Sequence, residues 1–286
     1  MGISALSRLK LWVIAAMLML PATSVESDIR KIRVASLNLC TDTLLLQYAD
    51  PQQIASITWL STDPNLSPFA VYAEQFQVNR GRAEDILRLS IDLVLTGPST
   101  SSTTRALLKR LEIETLHLPD PTSITMLENN VRRLTQAIGQ YPRGAESLQQ
   151  MNRKLERLSS KSANTPKHRW PHAAFLQPNG LTVGLNSLSD ELLNYAGYQN
   201  SAALLGLKTY QRFPLESILR AQPELLIVPA DQRSFPALAH ELLRHPAMHN
   251  VSIRHEIAPF ELICGTTRIG DVALALAARR ETTGSL

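Results

Sequence analysis

Short apolar runs recur along the chain and are bounded by polar residues, as in IRVASL over residues 32–37 and LVLT over residues 93–96. Runs of this length are typical of buried strands. Leucine-rich segments with polar starts lie between them. One is TDTLLLQYA from Thr41, which predicts a helix with Thr or Asp as its N-cap. The order strand, helix, strand, helix predicts a parallel α/β sheet with helices on its faces.

The pattern changes between residues 123 and 165. Apolar residues from Ile124 to Ile138 recur at steps of three and four, which defines one apolar helix face. The segment GQYPRG interrupts this period, and a second helical stretch follows in a strongly charged background. We interpret residues 123–165 as a helical connection between two α/β units. A surface helix of a single domain is the alternative.

Two segments of the first half resemble two segments of the second half, in the same order. LNLCTDTLL from Leu37 matches LNSLSDELL from Leu185, and AEDILRLSIDLVLTGP over residues 83–98 aligns without gaps with LESILRAQPELLIVPA over residues 215–230. Residues 83–89 are expected to form a short helix before the strand at 93–96. Because chance poorly explains both matches, we predict two lobes that share one local plan.

The N-terminus has the layout of a cleaved secretory signal over residues 1–27. Arg8 and Lys10 precede an uncharged run from Leu11 to Leu20, and PATSVES follows it. A helix of this length is too short for the roughly 30 Å hydrocarbon layer. An N-terminal membrane anchor is the alternative. The total of 286 residues suits one large domain or two of ordinary size.

The net charge and the cysteine content each limit the classes of function that are possible. The net charge is +4, and lysines and arginines are spread along the chain without aromatic interleaving, so a nucleic-acid partner is not expected. Export to an oxidising compartment would allow Cys40 and Cys264 to form a disulfide. Two buried thiols are the other interpretation, since sequence does not show whether the two residues are close.

Together these motifs resemble the periplasmic substrate-binding proteins of ABC importers for ferric siderophores, haem and cobalamin. The resemblance is carried by RVASLNLCTD, RGRAEDILRLSIDLVLTG, the mid-chain helix and LESILRAQPELLIV. It implies two Rossmann-like α/β lobes over residues 28–122 and 166–286, joined by a long helical connection over 123–165, with ligand in the cleft between the lobes. The chain departs from this pattern at GQYPRG and at CGTT, where a second glycine is more usual.

Candidate site residues follow from the rule that ligands bind beyond the carboxyl ends of parallel strands, near helix N-termini. The residues of the two Leu-Asn-x-x-x-Asp stretches either hold their turns or contact ligand. The aromatic rings of Trp59 and Tyr210 could provide contact surfaces for a flat ligand. Simple packing within the protein is the alternative for each. Arginines in predicted loops could bind an anionic chelate or lie on the surface. The predicted ligand-binding residues are Asn38, Thr41, Trp59, Arg80, Arg82, Asn186, Ser187, Tyr210, Arg212 and Arg268.

Neither a protein-bound metal nor catalysis is expected. The sequence has no metal-ligand spacing, and Pro246 interrupts the histidine cluster formed by His240, His245, His249 and His255. It also lacks a recognisable set of nucleophile and base, and no cofactor is expected.

We therefore expect a periplasmic, monomeric receptor whose partners are a small-molecule ligand and an inner-membrane ABC permease. The expected ligand is a metal chelate such as a ferric siderophore, or a cobalamin-like corrinoid. The resemblance implies docking through acidic residues on the lobes, for which Glu74 is a candidate. A receptor for a bare divalent metal ion and an exported enzyme on the same scaffold are the alternatives.

Overall fold

The computed structural model describes residues 31–230, 242, 245–250 and 253–282. The predicted signal peptide and His240 lie outside the described residues. From Ile32 onward the described residues form one compact unit. The limits assigned to the lobes and the linker stay a prediction. Within the described part of the chain, no helix combines the length and apolar character needed to cross a membrane.

Five parallel strands form the first sheet, in the order β3-β2-β1-β4-β5. Its strands are β1 Val34–Ser36, β2 Ile54–Thr58, β3 Val78–Asn79, β4 Leu93–Thr96 and β5 Thr115–His117. The helices around it are α1 Leu39–Tyr48, α2 Ala70–Ala73 and α3 Ser102–Arg110, with short 3₁₀ turns at Pro51–Gln53, Trp59–Thr62 and Ala83–Asp85. Strand β1 is buried along its whole length, as expected for the centre of a parallel sheet covered on both faces.

Two helices, α4 Ile124–Ala137 and α5 Tyr141–Ser162, connect the sheets in sequence. They are separated at Gly139, whose φ of 71° lies in the left-handed region, so the break predicted at GQYPRG is confirmed. Helix α5 packs closely on α4 at Gly144, where a Cβ atom would lie 2.5 Å from Oγ1 of Thr135. A glycine is therefore required at this crossing.

The second sheet contains four parallel strands in the order β11-β10-β6-β8, and β7 and β9 form a separate antiparallel pair. The strands are β6 His172–Phe175, β7 Leu181–Thr182, β8 Gln199–Asn200, β9 Gln211–Arg212, β10 Leu225–Pro229 and β11 Ile253–Ile257. The helices are α6 Leu188–Ala196, α7 Ser201–Leu204, α8 Leu215–Ala221, α9 Phe260–Ile263 and α10 Ile269–Thr282, with 3₁₀ turns at Lys167–Arg169, Pro178–Gly180 and Pro246–Asn250.

The two sheets have equivalent topologies. The order β2-β1-β4-β5 in the first corresponds to β8-β6-β10-β11 in the second. In each, a central strand leads through a helix to a neighbouring parallel strand. The predicted α/β fold with two similar lobes is confirmed. We call the part around the five-stranded sheet the first lobe and the part around the four-stranded sheet the second lobe.

One predicted element is wrong. The helix expected over residues 83–89 is only the 3₁₀ turn Ala83–Asp85, whereas the aligned segment is the α-helix Leu215–Ala221. The carboxylate of Asp85 accepts a hydrogen bond from the backbone amide of Arg80 at 2.8 Å. Beyond this hydrogen bond, the amides of Ile86 and Leu89 bond to the carbonyls of Ala83 and Ile86, so the segment forms i→i+3 turns in place of α-helical bonds.

A continuous hydrophobic core joins the two lobes. It includes Leu45 of α1, Met151 of α5, Phe175 of β6 and Leu276 of α10, each at most 1% exposed. The connecting helices are therefore part of the core itself, and their packing fixes the sheets to a common support.

Candidate ligand-binding site

A pocket of about 120 Å³ with a mixed polar and apolar lining lies where the two lobes meet. Its first-lobe wall follows β5, and its second-lobe walls come from the start of α6, the loop before β9 and the segment after β11. The carboxyl ends of parallel strands from both lobes therefore face one pocket, which is the expected place for a ligand. The pocket is lined by Asp120, Pro121, Thr122, Val183, Ser187, Leu188, Ser189, Leu192, Thr209, Tyr210, Glu261, Ile263, Cys264, Gly265, Thr266 and Ile269.

Hydroxyl groups and two carboxylates determine the chemistry of this pocket. The carboxylates belong to Asp120 and Glu261, and no lysine or arginine is among the described lining residues. Burial raises the pKa of Asp120, an effect that the nearby His117 opposes. Desolvation and the charge of Asp120 raise the pKa of Tyr210. The pocket thus suits a neutral or cationic group that donates hydrogen bonds.

The first Leu-Asn-x-x-x-Asp stretch is a tightly bonded turn. Asn38 is the N-cap of α1, and its Oδ1 accepts hydrogen bonds from the amides of Cys40 at 2.9 Å and Thr41 at 3.3 Å. The Thr41 hydroxyl donates to the carbonyl of Asn38 at 2.9 Å. Both side chains are buried. These bonds support the structural role, and a ligand contact by either residue stays a prediction.

Asp42 in the same stretch holds the turn that carries Trp59, one of the two predicted aromatic contact residues. Its Oδ2 accepts hydrogen bonds from the Thr58 amide at 3.0 Å and the Ser61 hydroxyl at 2.8 Å, while Oδ1 has no partner among the described residues. Burial raises the pKa of Asp42 to about 7. Trp59 lies between the two bonded residues with its side chain 53% exposed. The carboxylate of Asp42 therefore fixes the turn that presents Trp59.

In the second Leu-Asn-x-x-x-Asp stretch, the N-cap lies one residue later than in the first. Ser187, and not Asn186, is the N-cap of α6, since its hydroxyl accepts from the Asp190 amide at 3.1 Å. Asn186 is exposed and has a left-handed φ of 59°. Ser187 lines the pocket, whereas Asn186 does not. Strand β7, which pairs with β9, lies between β6 and α6 in this lobe, so the turn leaves a different strand from its counterpart.

Two predicted arginines lie in the loop after β3 of the first lobe. Arg80 and Arg82 are exposed. Arg82 pairs with Asp85 at 3.5 Å, and 61% of its side chain is accessible to solvent. Neither residue lines the described pocket. Their contact with an anionic ligand stays a prediction.

The other two arginines belong to the second lobe. Arg212 is exposed on β9. Both Nε and a terminal nitrogen of Arg268 bond to the same oxygen of Glu261, and this hydrogen bond raises the pKa of Arg268. The guanidinium also lies 5.8 Å from the ring centre of Phe260. Arg268 is thus engaged within the protein beside the pocket.

Tyr210 and Cys264 are the remaining predicted residues that line the pocket. Tyr210 is 60% exposed in the loop before β9, with a left-handed φ of 54°. Cys40 and Cys264 form a disulfide with a Cα–Cα distance of 5.1 Å. The alternative of two separate thiols is therefore wrong. Because Cys40 begins α1 and Cys264 follows β11, the bond links the two lobes beside the pocket.

The prediction missed the pocket residues Asp120, Thr122, Thr209 and Glu261. Asp120 and Thr122 lie just after the predicted strand IETLHL, so the carboxyl-end rule applied to that strand would have found them. Thr209 lies in a loop and Glu261 in the short helix α9, and neither belongs to a distinguishing sequence pattern, so only the fold brings them together.

A bound metal ion would need a group of ligating side chains placed close together. In residues 31–230, 242, 245–250 and 253–282, no group of three or more His, Cys, Asp or Glu side chains is placed to hold one. His245 is exposed, and His255 is half-buried on β11. Glu74 is exposed at the end of α2, which leaves its docking role a prediction.

The fold and the pocket define a class, the two-lobed α/β proteins that bind ligand between their lobes. The chain belongs to the periplasmic binding protein family, whose sequence model matches residues 34–252. Comparison with curated protein sequences gives no significant match.

Solved structures show the same fold. The haem-binding protein RhuT from Roseiflexus sp. RS-1 has a TM-score of 0.68 at 21% identity, over 87% of this chain and 98% of RhuT. The molybdate-binding protein MolA from Haemophilus influenzae has a TM-score of 0.71 at 15% identity, over 88% of this chain and 86% of MolA. The vitamin B12 binding protein BtuF of Vibrio cholerae has a TM-score of 0.64 at 16% identity, over 88% of this chain and 97% of BtuF.

Proposed function

We propose that this protein is an exported receptor that captures a metal chelate, a corrinoid or a ferric siderophore, and delivers it to an inner-membrane ABC permease. The observation that carries the proposal is the pocket lined by both lobes at the carboxyl ends of their parallel strands. Residues 1–27 would direct export, and Glu74 would contribute to docking on the permease.

The size of the pocket indicates how such a ligand would sit. Its volume of about 120 Å³ is well below the roughly 300–1,000 Å³ typical of pockets that enclose a whole small molecule. We infer that the pocket receives one polar side group. The flat body of the ligand would lie outside it, against the exposed rings of Tyr210 and Trp59.

Charge favours some ligands of this class over others. The pocket contains the carboxylates of Asp120 and Glu261, and Arg268 beside it is already bonded to Glu261. A carboxylate or molybdate group would meet like charge there, whereas an amide side group would find acceptors. We therefore place corrinoids, whose side groups are neutral amides, ahead of haem and carboxylate siderophores.

Native mass spectrometry of the protein purified from its own periplasm tests this proposal. The expected result is a non-covalent mass increment that corresponds to a corrinoid or another metal chelate. Titration of the ligand-free protein with corrinoids, haem and ferric siderophores should then give saturable binding. Absence of any mass increment, together with no binding across this panel, would overturn the proposal.

The two alternatives have less support. A bare divalent ion would need three or four converging ligands, and the described residues contain no such group. An enzyme would consume its substrate, whereas a receptor should return its ligand unchanged after denaturation. Recovery of a chemically altered compound would favour the enzyme.

A further inference from the structure

A short segment of the second lobe is attached to helix α1 of the first lobe at two places. Cys264 is bonded to Cys40 at the start of α1. Three residues later, the Thr267 hydroxyl accepts a hydrogen bond from Nε2 of Gln47 near the end of α1, at 3.0 Å. The seven helical steps from Cys40 to Gln47 and the three extended steps from Cys264 to Thr267 each span about 10 Å. The segment Cys264–Thr267 therefore lies alongside α1, and we call the two elements the lobe joint.

Buried hydroxyl groups complete the second attachment. The Thr267 hydroxyl lies 3.2 Å from that of Tyr48 and 2.7 Å from that of Ser147, and Tyr48 donates to Ser147 at 3.1 Å. Tyr48 is 2% exposed and Thr267 is 7% exposed. Ser147 belongs to α5, so this cluster connects the first lobe, the second lobe and the helical connection. Hydrogen bonds shielded from water in this way resist separation.

Close packing fills the space between the two attachments. A Cβ atom on Gly265 would lie 2.4 Å from Cγ of Pro121 and 2.8 Å from Cδ2 of Leu188. Pro121 follows the last strand of the first sheet, and Leu188 begins α6 of the second lobe. The segment is thus held between residues of both lobes.

The chain beyond the joint is also fixed. Helix α10 begins at Ile269 and packs along α5, where Nζ of Lys154 lies 2.5 Å from Oδ1 of Asp271. Lys161 and Glu281 form a second ion pair between these helices. The Cys264–Thr267 segment is therefore followed directly by a helix that packs on α5.

We propose that the lobe joint holds the cleft at a fixed opening, so that ligand enters a preformed site. Opening the lobes about the connecting helices would require Cys264 to leave Cys40, which the covalent bond prevents. Rotation about that bond alone would separate Thr267 from Tyr48 and Ser147. A cleft that is already ordered loses less free energy to ordering when ligand binds.

Distances between the lobes test this proposal. Spin labels attached through p-acetylphenylalanine at Val71 of the first lobe and Leu204 of the second add no cysteine, and both positions are exposed. Electron double resonance of the otherwise unchanged protein should give one narrow distance distribution. In C40S/C264S/T267V the distribution should become about twice as broad. T267V alone should broaden the distribution less than the triple variant does, because the disulfide still prevents opening while rotation about it becomes possible.

A label pair within the first lobe, at Val71 and the exposed Leu87, is the matched control and should not change in the triple variant. If that variant does not fold, dithiothreitol treatment of the T267V protein replaces it, with the same expected broadening. An unchanged distribution between the lobes after the disulfide and the Thr267 hydroxyl are removed would overturn the proposal. A broad distribution in the unaltered protein would do so too. No ligand is used, so the outcome is independent of the proposed function.

Discussion

Asp42 accepts a hydrogen bond from the backbone amide of Thr58 at 3.0 Å, and this bond ties the first turn of α1 to the end of strand β2. The second lobe repeats the arrangement, since Asp190 in the first turn of α6 accepts from the side chain of Asn200 on β8 at 3.1 Å. The aspartate of each Leu-Asn-x-x-x-Asp stretch thus joins a helix start to the neighbouring parallel strand. This shared role explains why the stretch occurs once in each lobe.

The buried carboxylate of Asp42 should make stability depend on pH. Burial raises its pKa from 3.8 to about 7 in the folded protein. The folded state therefore binds this proton more tightly than the unfolded state, so the contribution is present below pH 4 and is lost as the pH rises through 7. We expect the unfolding free energy to fall by up to about 4 kcal/mol across this interval from this residue. Urea denaturation between pH 4 and pH 8 measures it.

Asp42→Asn provides the control for this pH effect, because an amide has a similar shape and does not titrate. The difference in stability between the unaltered protein and this variant should decrease steadily as the pH rises. Parallel pH profiles for the two proteins would show that Asp42 does not titrate in this interval.

A side chain at position 265 should destabilise the folded protein. An alanine Cβ would lie 2.4 Å from the Pro121 ring, and we expect Gly265→Ala to cost about 1–3 kcal/mol of unfolding free energy. Gly270→Ala is the matched control, since its nearest contacts would be 3.3–3.4 Å and one of them is the flexible side chain of Lys154. That variant also gains helix propensity within α10. Equal urea midpoints for both variants would contradict the close packing at Gly265.

Much of the fold was predictable because buried strands require apolar residues, which are visible in the sequence. Strand β1 within IRVASL and strand β4 within LVLT are apolar since both faces of a parallel sheet are covered. The duplicated segments predicted two lobes, and the equivalent strand orders confirm them. Residues 83–89 were misassigned because apolar spacing does not distinguish an α-helix from successive i→i+3 turns, which the amides of Ile86 and Leu89 form here.

The site was less predictable because it depends on loops that meet only in the fold. Ser187 was predicted from its position after a predicted strand and Tyr210 as an aromatic contact for a flat ligand, and both line the pocket. Asp120 and Glu261 are 141 positions apart in the numbering; the position of Asp120 after a predicted strand could have indicated it, but no local pattern marks Glu261 as a wall of the same pocket. The two cysteines were recognisable as candidates for pairing, but only the structure shows that their bond connects the lobes.

Tyr210 should contribute to ligand binding as an exposed aromatic surface at the pocket edge. We expect Tyr210→Ala to weaken binding of a corrinoid or other flat chelate about tenfold, in line with the usual size of aromatic contacts. Fluorescence titration with the ligand identified by mass spectrometry measures this effect. Leu204→Ala removes an exposed apolar side chain that does not line the pocket and should leave affinity unchanged. Equal affinities for the two variants would exclude Tyr210 from the contact surface.

Glu261 should control which ligand charge is accepted, because it both lines the pocket and holds Arg268. Glu261→Gln removes one negative charge and releases the guanidinium from its ionic partner. We expect affinity for a carboxylate-bearing chelate such as haem to rise about tenfold, while affinity for a neutral corrinoid changes less than about twofold. Parallel titrations with the two ligands measure the ratio.

The Glu261→Gln substitution both removes a negative charge and releases the Arg268 guanidinium. The Arg268→Gln variant distinguishes these two effects. Arg268 is already bonded to Glu261, so its removal leaves an uncompensated carboxylate beside the pocket and should weaken haem binding further. The ratio of haem to corrinoid affinity should therefore rise in Glu261→Gln and fall in Arg268→Gln. A ratio that moves in the same direction in both variants would show that this ion pair does not set the charge preference of the pocket.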